Sequence, residues 1–284
     1  MALSTTRSRE LKRVIRSILL FFDKAQIYPR GHVFLDKVVL AHVSKGLKVA
    51  EAVMCLVEAG FAEEAFGLSR TLVEVAFNLR FITNRYSERR AQRFVHYYAR
   101  WKMEQIRRAI KHFKGGKDKK GRSQPKYTKA ELRKQVPDYK TLAKMAQKFP
   151  DRNSWTRTHN WKASKGGAWK MAVEPDAYER IDGEPVKWEF DYDWIYFWTS
   201  QYVHATVACM DSHSVLPKEA FSIHIAPERG GHTAGLAAFN TGLYLHKILV
   251  LAFRAIKHDF PEKLSKPLGA VLTSMSDEEL KDVA

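Results

Sequence analysis

AFGLSRTLVEVAFNLRFI, residues 65–82, is apolar on most of its faces when wound as a helix. A helix that is apolar nearly all round is a buried one. The segment, inside a helix predicted over 62–84, therefore stands at the centre of the fold. It also carries Arg70 and Glu74, four residues apart. Burying either charge alone is costly, so each needs a partner. Two readings follow. In one, the pair fixes helix register. In the other, Arg70 holds an anion and Glu74 orients a base.

The same helical period extends outward, and sustained period-2 alternation is missing. A first helix is predicted from about Thr6 to Lys24, broken by Tyr28-Pro29-Arg30-Gly31. A second, about 34–59, carries Leu40, Val43, Leu47, Ala50, Met54 and Val57 on one side, and Gly60 ends it. A fourth runs over about 87–113, short ones over about 128–135 and 138–148, and long ones over about 191–213 and 232–258. The polar tail with SDEEL at 276–280 reads as one further turn or a short helix. The expected fold class is all-α, a helical bundle of five to six long helices with a basic, partly flexible insertion. The expected divisions are an N-terminal helix (1–33), a first bundle half (34–113), the basic insertion (114–150), an irregular Trp-rich segment (151–190), a second bundle half (191–260) and a tail (261–284).

The chain of 284 residues, 45% apolar and 12% aromatic, is long enough to bury a core. Its net charge of +17 is unevenly spread: residues 107–148 hold fifteen Lys and Arg against Asp118, Glu131 and Asp138. That is a local excess of +12, leaving +5 elsewhere. GGKDKKGRSQPKYTK, residues 115–129, reads as a flexible, exposed loop. Lys117, Lys119, Lys120, Arg122 and Lys126 can track phosphates there, and Tyr127 can stack on a base. NWKASKGGAWKM, residues 160–171, interleaves aromatics with lysines and extends the pattern. The expected partner is nucleic acid, RNA in preference to DNA. The exposed faces of the long helices also suit a homodimer.

Cys55 and Cys209 lie in apolar helical patterns without metal-ligand spacing and read as small buried hydrophobes. The histidines follow no metal spacing either, so neither metal nor cofactor is expected. The N-terminal RSRELKRVIRSILLFFDK resembles a signal peptide in charge order, but its apolar run is too short. No stretch reads as a membrane span, and the expected location is the cytoplasm.

YFWTSQYVHAT, residues 196–206, adds the other candidate chemistry. Tyr196, Ser200 and His204 step by four and share one helix face. Ser200 and His204 suggest a nucleophile and base, although a mid-helix serine tends to bond its own i−4 carbonyl. A His204/Glu74 dyad, with the carboxylate holding the imidazole tautomer, is better motivated.

These residues carry a resemblance. Leu68, Arg70, Leu72 and Glu74 form an L-x-R-x-L-x-E helix. Trp161, Ser164 and Met171-Ala172 follow, and then the Y-x3-S-x2-V-H helix of Tyr196, Ser200, Val203 and His204. Together they resemble a widespread, uncharacterised bacterial all-helical family over about residues 40–250. The resemblance implies an all-α core in which Arg70, Glu74, Ser200 and His204 converge. More distantly the architecture is similar to HEPN-type helical domains, many of them metal-independent ribonucleases with an R-x4–6-H pair. Where those carry the arginine, this chain has Ser200. Its own R-x4–6-H spacings (Arg89 and Arg90 with His96, Arg107 with His112, Arg152 with His159) are close to the number chance supplies. The expected function is a nucleic-acid-directed effector, in one form an RNA-cleaving protein of a bacterial defence or toxin system. The alternative is a non-catalytic binding module whose polar cluster is structural.

Overall fold

Helical period across nearly the whole sequence builds an all-α fold, seen here in a computed structural model. The structure describes residues 5–24, 34–84, 86–112, 114–117, 123–126, 139–148, 171–172, 175, 180–181, 184–185, 187–197, 199–200, 214–215, 222–223 and 232–283. Seven helices are α1 (Thr5–Lys24), α2 (Leu35–Ala59), α3 (Ala62–Asn84), α4 (Ser87–His112), α5 (Tyr139–Gln147), α6 (His232–Ala255) and α7 (Glu262–Val283). A π-helix, Asp191–Tyr196, makes the eighth among the described residues. Six are long, the upper end of the expectation.

The chain divides into two compact units, Met1–Ser87 with Lys165–Ala284, and Glu88–Ser164. The first is the bundle. In it α3 packs against α2, α6 and the π-helix, while α1 and α7 pack on each other and on α6. Leu72, Val73, Ala76, Phe77, Leu79 and Ile82 of α3 are fully buried, so the expected central helix is central. Gly60, at φ 89°, ends α2 in the left-handed conformation that glycine adopts without strain, and its N–H bonds back to the last turn. At Gly242 of α6 an added Cβ would meet Leu272 at 2.7 Å and Leu11 at 3.1 Å, so the missing side chain lets α1, α6 and α7 close together.

Three expectations are corrected. The tail is no single turn but α7, with Leu264, Leu268, Val271 and Met275 buried at helical spacing. Pro267 sits in its second turn, and burial against α1 and α6 outweighs the lost backbone bond. The 115–129 loop contains a hairpin, β1 (Lys114–Lys117) pairing antiparallel with β2 (Ser123–Lys126). Neither KGGK nor SQPK carries an apolar alternation, so the sequence pattern does not announce the strands. Cys55 is exposed, on a polar rim where Lys12 and Arg16 of α1 pair with Glu58 and Glu51 of α2. Two-residue ladders, β3 (Arg180–Ile181) with β4 (Glu184–Pro185) and β5 (Ser214–Val215) with β6 (Ser222–Ile223), complete the elements. The predicted helix over 128–135, Cys209, and the far half of the helix over 191–213 lie outside the described residues, apart from the β5 residue pair just beyond the latter.

One helix, Thr233–Ala255, is long and apolar enough to cross a membrane by length and composition, which the sequence reading did not register. Two-thirds of its apolar window is buried inside the fold, as suits a core helix.

His42 is buried in α2 and its Nδ1 lies 2.7 Å from the Val38 carbonyl. Burial holds its pKa below the ordinary 6.5. Below that value the unfolded chain takes up a proton that the folded chain resists. Stability is therefore full above pH 7 and falls as pH drops from about 6.5 towards the folded value, by at most about 1.4 kcal/mol per pH unit. His42→Leu should reduce the slope of stability between pH 7 and 5 in urea melts. The slope should not vanish, because burial also lowers His96 and His246.

Candidate functional site

The charges of α3 decide what covers it. Arg70 and Glu74 lie one turn apart, and Arg70 Nη2 reaches Glu74 Oε1 at 3.0 Å. The hydroxyl of Tyr196, from the π-helix, stands between them. It accepts from Arg70 Nη2 at 2.7 Å and donates to Glu74 Oε1 at 3.2 Å. The guanidinium also lies over the Tyr196 ring, 4.7 Å from its centroid. Arg70 Nε is buried and has no hydrogen-bond partner among the described residues. The side chains of Arg70 and Glu74 are 19% and 39% exposed, so one flank of the group meets solvent. Burial raises the Tyr196 hydroxyl above its ordinary value, and the Arg70 hydrogen bond opposes that rise. Tyr196 is thus protonated at neutral pH, a donor and not a base.

Three of the five expected residues, Arg70, Glu74 and Tyr196, are therefore in contact. Ser200 follows one turn later, and its hydroxyl donates to the Tyr196 carbonyl. That i−4 bond is the ordinary habit of a mid-helix serine and leaves no sign of an activated nucleophile. His204 lies outside the described residues. So do Lys119, Lys120, Arg122 and Tyr127, while Lys117 ends β1 and Lys126 ends β2.

The π-helix is fixed to α3 by aromatic contact. Phe77 meets the rings of Trp188, Tyr192 and Tyr196 at 6.0, 6.4 and 6.1 Å, and Tyr192 stacks on Tyr196 at 5.2 Å. Single π-helical turns recur at functional sites, where they re-aim side chains.

Sequence reasoning missed a second polar cluster beside the first. Arg80 of α3 is fully buried, donates from Nη1 to the Ala172 carbonyl at 2.8 Å, and lies 4.5 Å from the Trp188 ring centroid. Asp191, at the start of the π-helix, is also buried. It accepts from the hydroxyl of Tyr244 and from Lys247 Nζ, both on α6. Burial, reinforced by the neighbouring Asp191, pushes the Tyr244 hydroxyl far up. Lys247 also lies 4.6 Å from the Trp188 centroid. The available signal was weak: Arg80 lies six residues beyond Glu74, off its four-residue step, and Asp191 and Lys247 share no motif. Met171 and Ala172, by contrast, were flagged, and both are buried, with Ala172 held by Arg80. Among the described residues, no group of three or more His, Cys, Asp or Glu is placed to hold a metal ion.

The arrangement defines an all-α bundle whose central helix is fixed by polar contacts from a returning segment. The chain belongs to a family of unknown function, DUF5677, which matches residues 36–220, about two-thirds of its length. The matched stretch runs from the start of α2 through both motif segments. No curated protein and no solved structure matches the chain.

The two clusters differ in depth, and their variants should differ accordingly. Asp191→Ala strands Lys247 and a buried tyrosine hydroxyl and should cost about 3–5 kcal/mol. Tyr196→Phe leaves the Arg70–Glu74 contact in place and should cost only about 1 kcal/mol. Urea melts of the two variants compare them directly, and equal losses would contradict the assignment of Asp191 as the deeper anchor.

Proposed function

We propose that this protein is a nucleic-acid-directed effector that holds RNA through its basic unit. The observation that carries the reading is the segregation of charge. Residues 88–164 contain 23 Lys and Arg against 6 Asp and Glu, an excess equal to the whole net charge of +17. The remaining residues hold 25 of each and are neutral. A surface charge spread for solubility has no reason to collect in one unit, whereas a phosphate-binding surface requires it.

In the catalytic form of this reading the neutral bundle resembles HEPN-type domains and cleaves RNA without a metal, as a defence or toxin protein. His204 then removes the proton from the 2′-hydroxyl, whose oxygen attacks the phosphorus. The bond to the 5′-oxygen breaks, and that oxygen takes a proton as it leaves. Arg70 neutralises the charge of the five-coordinate phosphorus, and Glu74 and Tyr196 hold the arginine in place. The half-open flank of the cluster and the unmatched Arg70 Nε support this form.

A second reading, a non-catalytic binding module, has an observation of its own. Tyr196 links Arg70 and Glu74 through its hydroxyl, as a structural seam would, and Ser200 is turned to its own backbone.

With about five phosphates engaged, affinity for a single-stranded oligoribonucleotide should fall with salt at a log–log slope of roughly −3.5 to −4.5. Deleting 115–126 should flatten that slope. A slope near zero in the intact protein removes the nucleic-acid reading. His204→Ala separates the two forms: lost RNA cleavage with an unchanged melting temperature supports catalysis, and binding with no cleavage in either protein supports the module.

A further inference from the structure

Among the described residues of the basic unit, charge and aromatic rings coincide on α4, ahead of the loop first suspected. Ala91, His96, Ala99, Met103 and Ile106 form the buried stripe of that helix. The opposite side carries rings that a soluble helix ordinarily hides. Trp101 is 47% exposed and Tyr98 50%, and their rings lie 6.1 Å apart with planes inclined by only 31°. A groove of about 560 Å³ runs along this side, lined by Tyr97, Arg100, Trp101, Glu104, Arg107 and Arg108.

Tyr97, Trp101, Glu104 and Arg108 recur at intervals of four, three and four, so one stripe of the helix supplies the groove. Arg107 and Arg108 are both 71% exposed, and both reach the single carboxylate of Glu104, at 3.8 and 3.3 Å. One carboxylate offsets only one of two guanidiniums. The groove therefore keeps a positive excess beside an exposed indole.

We propose that this groove is a stacking site for single-stranded nucleic acid, with a base on Trp101 and its neighbouring phosphates on Arg107 and Arg108. The proposal rests on the nucleic-acid reading above and specifies the strand form and the residues. A protein partner with an acidic surface would use the arginines but has no need of an indole flanked by them. A duplex hides the faces of its bases, so an exposed ring has nothing to stack on except at its ends. Single strands offer both the π-face and the phosphate at the spacing of one nucleotide. Glu104 acts as an internal competitor, occupying the guanidiniums until phosphate displaces it.

The test measures binding by the full-length protein of a short single-stranded oligoribonucleotide, the matching duplex and heparin, a polyanion without bases. Trp101→Ala should weaken the single strand about tenfold and leave heparin unchanged, and Trp101→Phe should retain most of the affinity. Arg107→Ala with Arg108→Ala should weaken both ligands and reduce the salt slope by about 2. Glu104→Gln should tighten both. These arginines are solvent-facing, so their double variant reads out the site even where a change at Trp101 perturbs folding. Single-strand affinity unchanged by Trp101→Ala, equal loss for heparin, or a duplex bound as tightly as the single strand overturns the stacking site while leaving the nucleic-acid reading intact. No binding of either nucleic acid by the unaltered protein defeats both.

Discussion

Charged side chains on a largely enclosed helix must find partners within the fold, and beyond its first turn α3 carries three, Arg70, Glu74 and the fully buried Arg80. That constraint organises the bundle. Arg70 and Glu74 recruit the hydroxyl of Tyr196, and Arg80 recruits the Ala172 carbonyl and the face of Trp188. Each contact comes from residues 171–200, so satisfying the charges of α3 fixes the segment that returns across it. Phe77 supplies the apolar part of the same junction through its three aromatic contacts. Asp191 then ties the π-helix to α6 through Tyr244 and Lys247. The result is a continuous polar and aromatic seam joining α3, the π-helix and α6.

Much of this was legible before any coordinates. The all-round apolar character of 65–82 placed α3 at the centre, because only burial explains it. Gly60 marked the end of α2, because it supplies the conformation other residues resist. The four-residue step of Arg70 with Glu74 singled out side chains that do meet, and Tyr196 joins them, while Ser200 bonds the Tyr196 carbonyl. What stayed hidden has physical reasons. The length of α7 does not follow from SDEEL, since the burial of Leu264, Leu268, Val271 and Met275 that sustains it is set by tertiary packing. The β1–β2 hairpin pairs KGGK with SQPK, which offer no apolar alternation to read. Arg80, Asp191 and Lys247 sit on three elements with no common spacing, and only the fold brings them together. Trp101 and Tyr98 read as ordinary members of an amphipathic helix, because a sequence does not state which aromatic faces outward.

Charge is divided unevenly between the two units: the bundle is neutral overall, while residues 88–164 hold the whole positive excess. On the nucleic-acid reading proposed above, the binding residues belong to α4 and the hairpin, and Arg70, Glu74 and Tyr196 belong to the other unit.

Ultraviolet cross-linking of a single-stranded oligoribonucleotide to the full-length protein, with the attached peptides identified by mass spectrometry, tests this division most directly. The account predicts cross-linked peptides concentrated within residues 88–164, with α4 among them. Cross-links confined to the neutral unit, with none in the basic one, would contradict it.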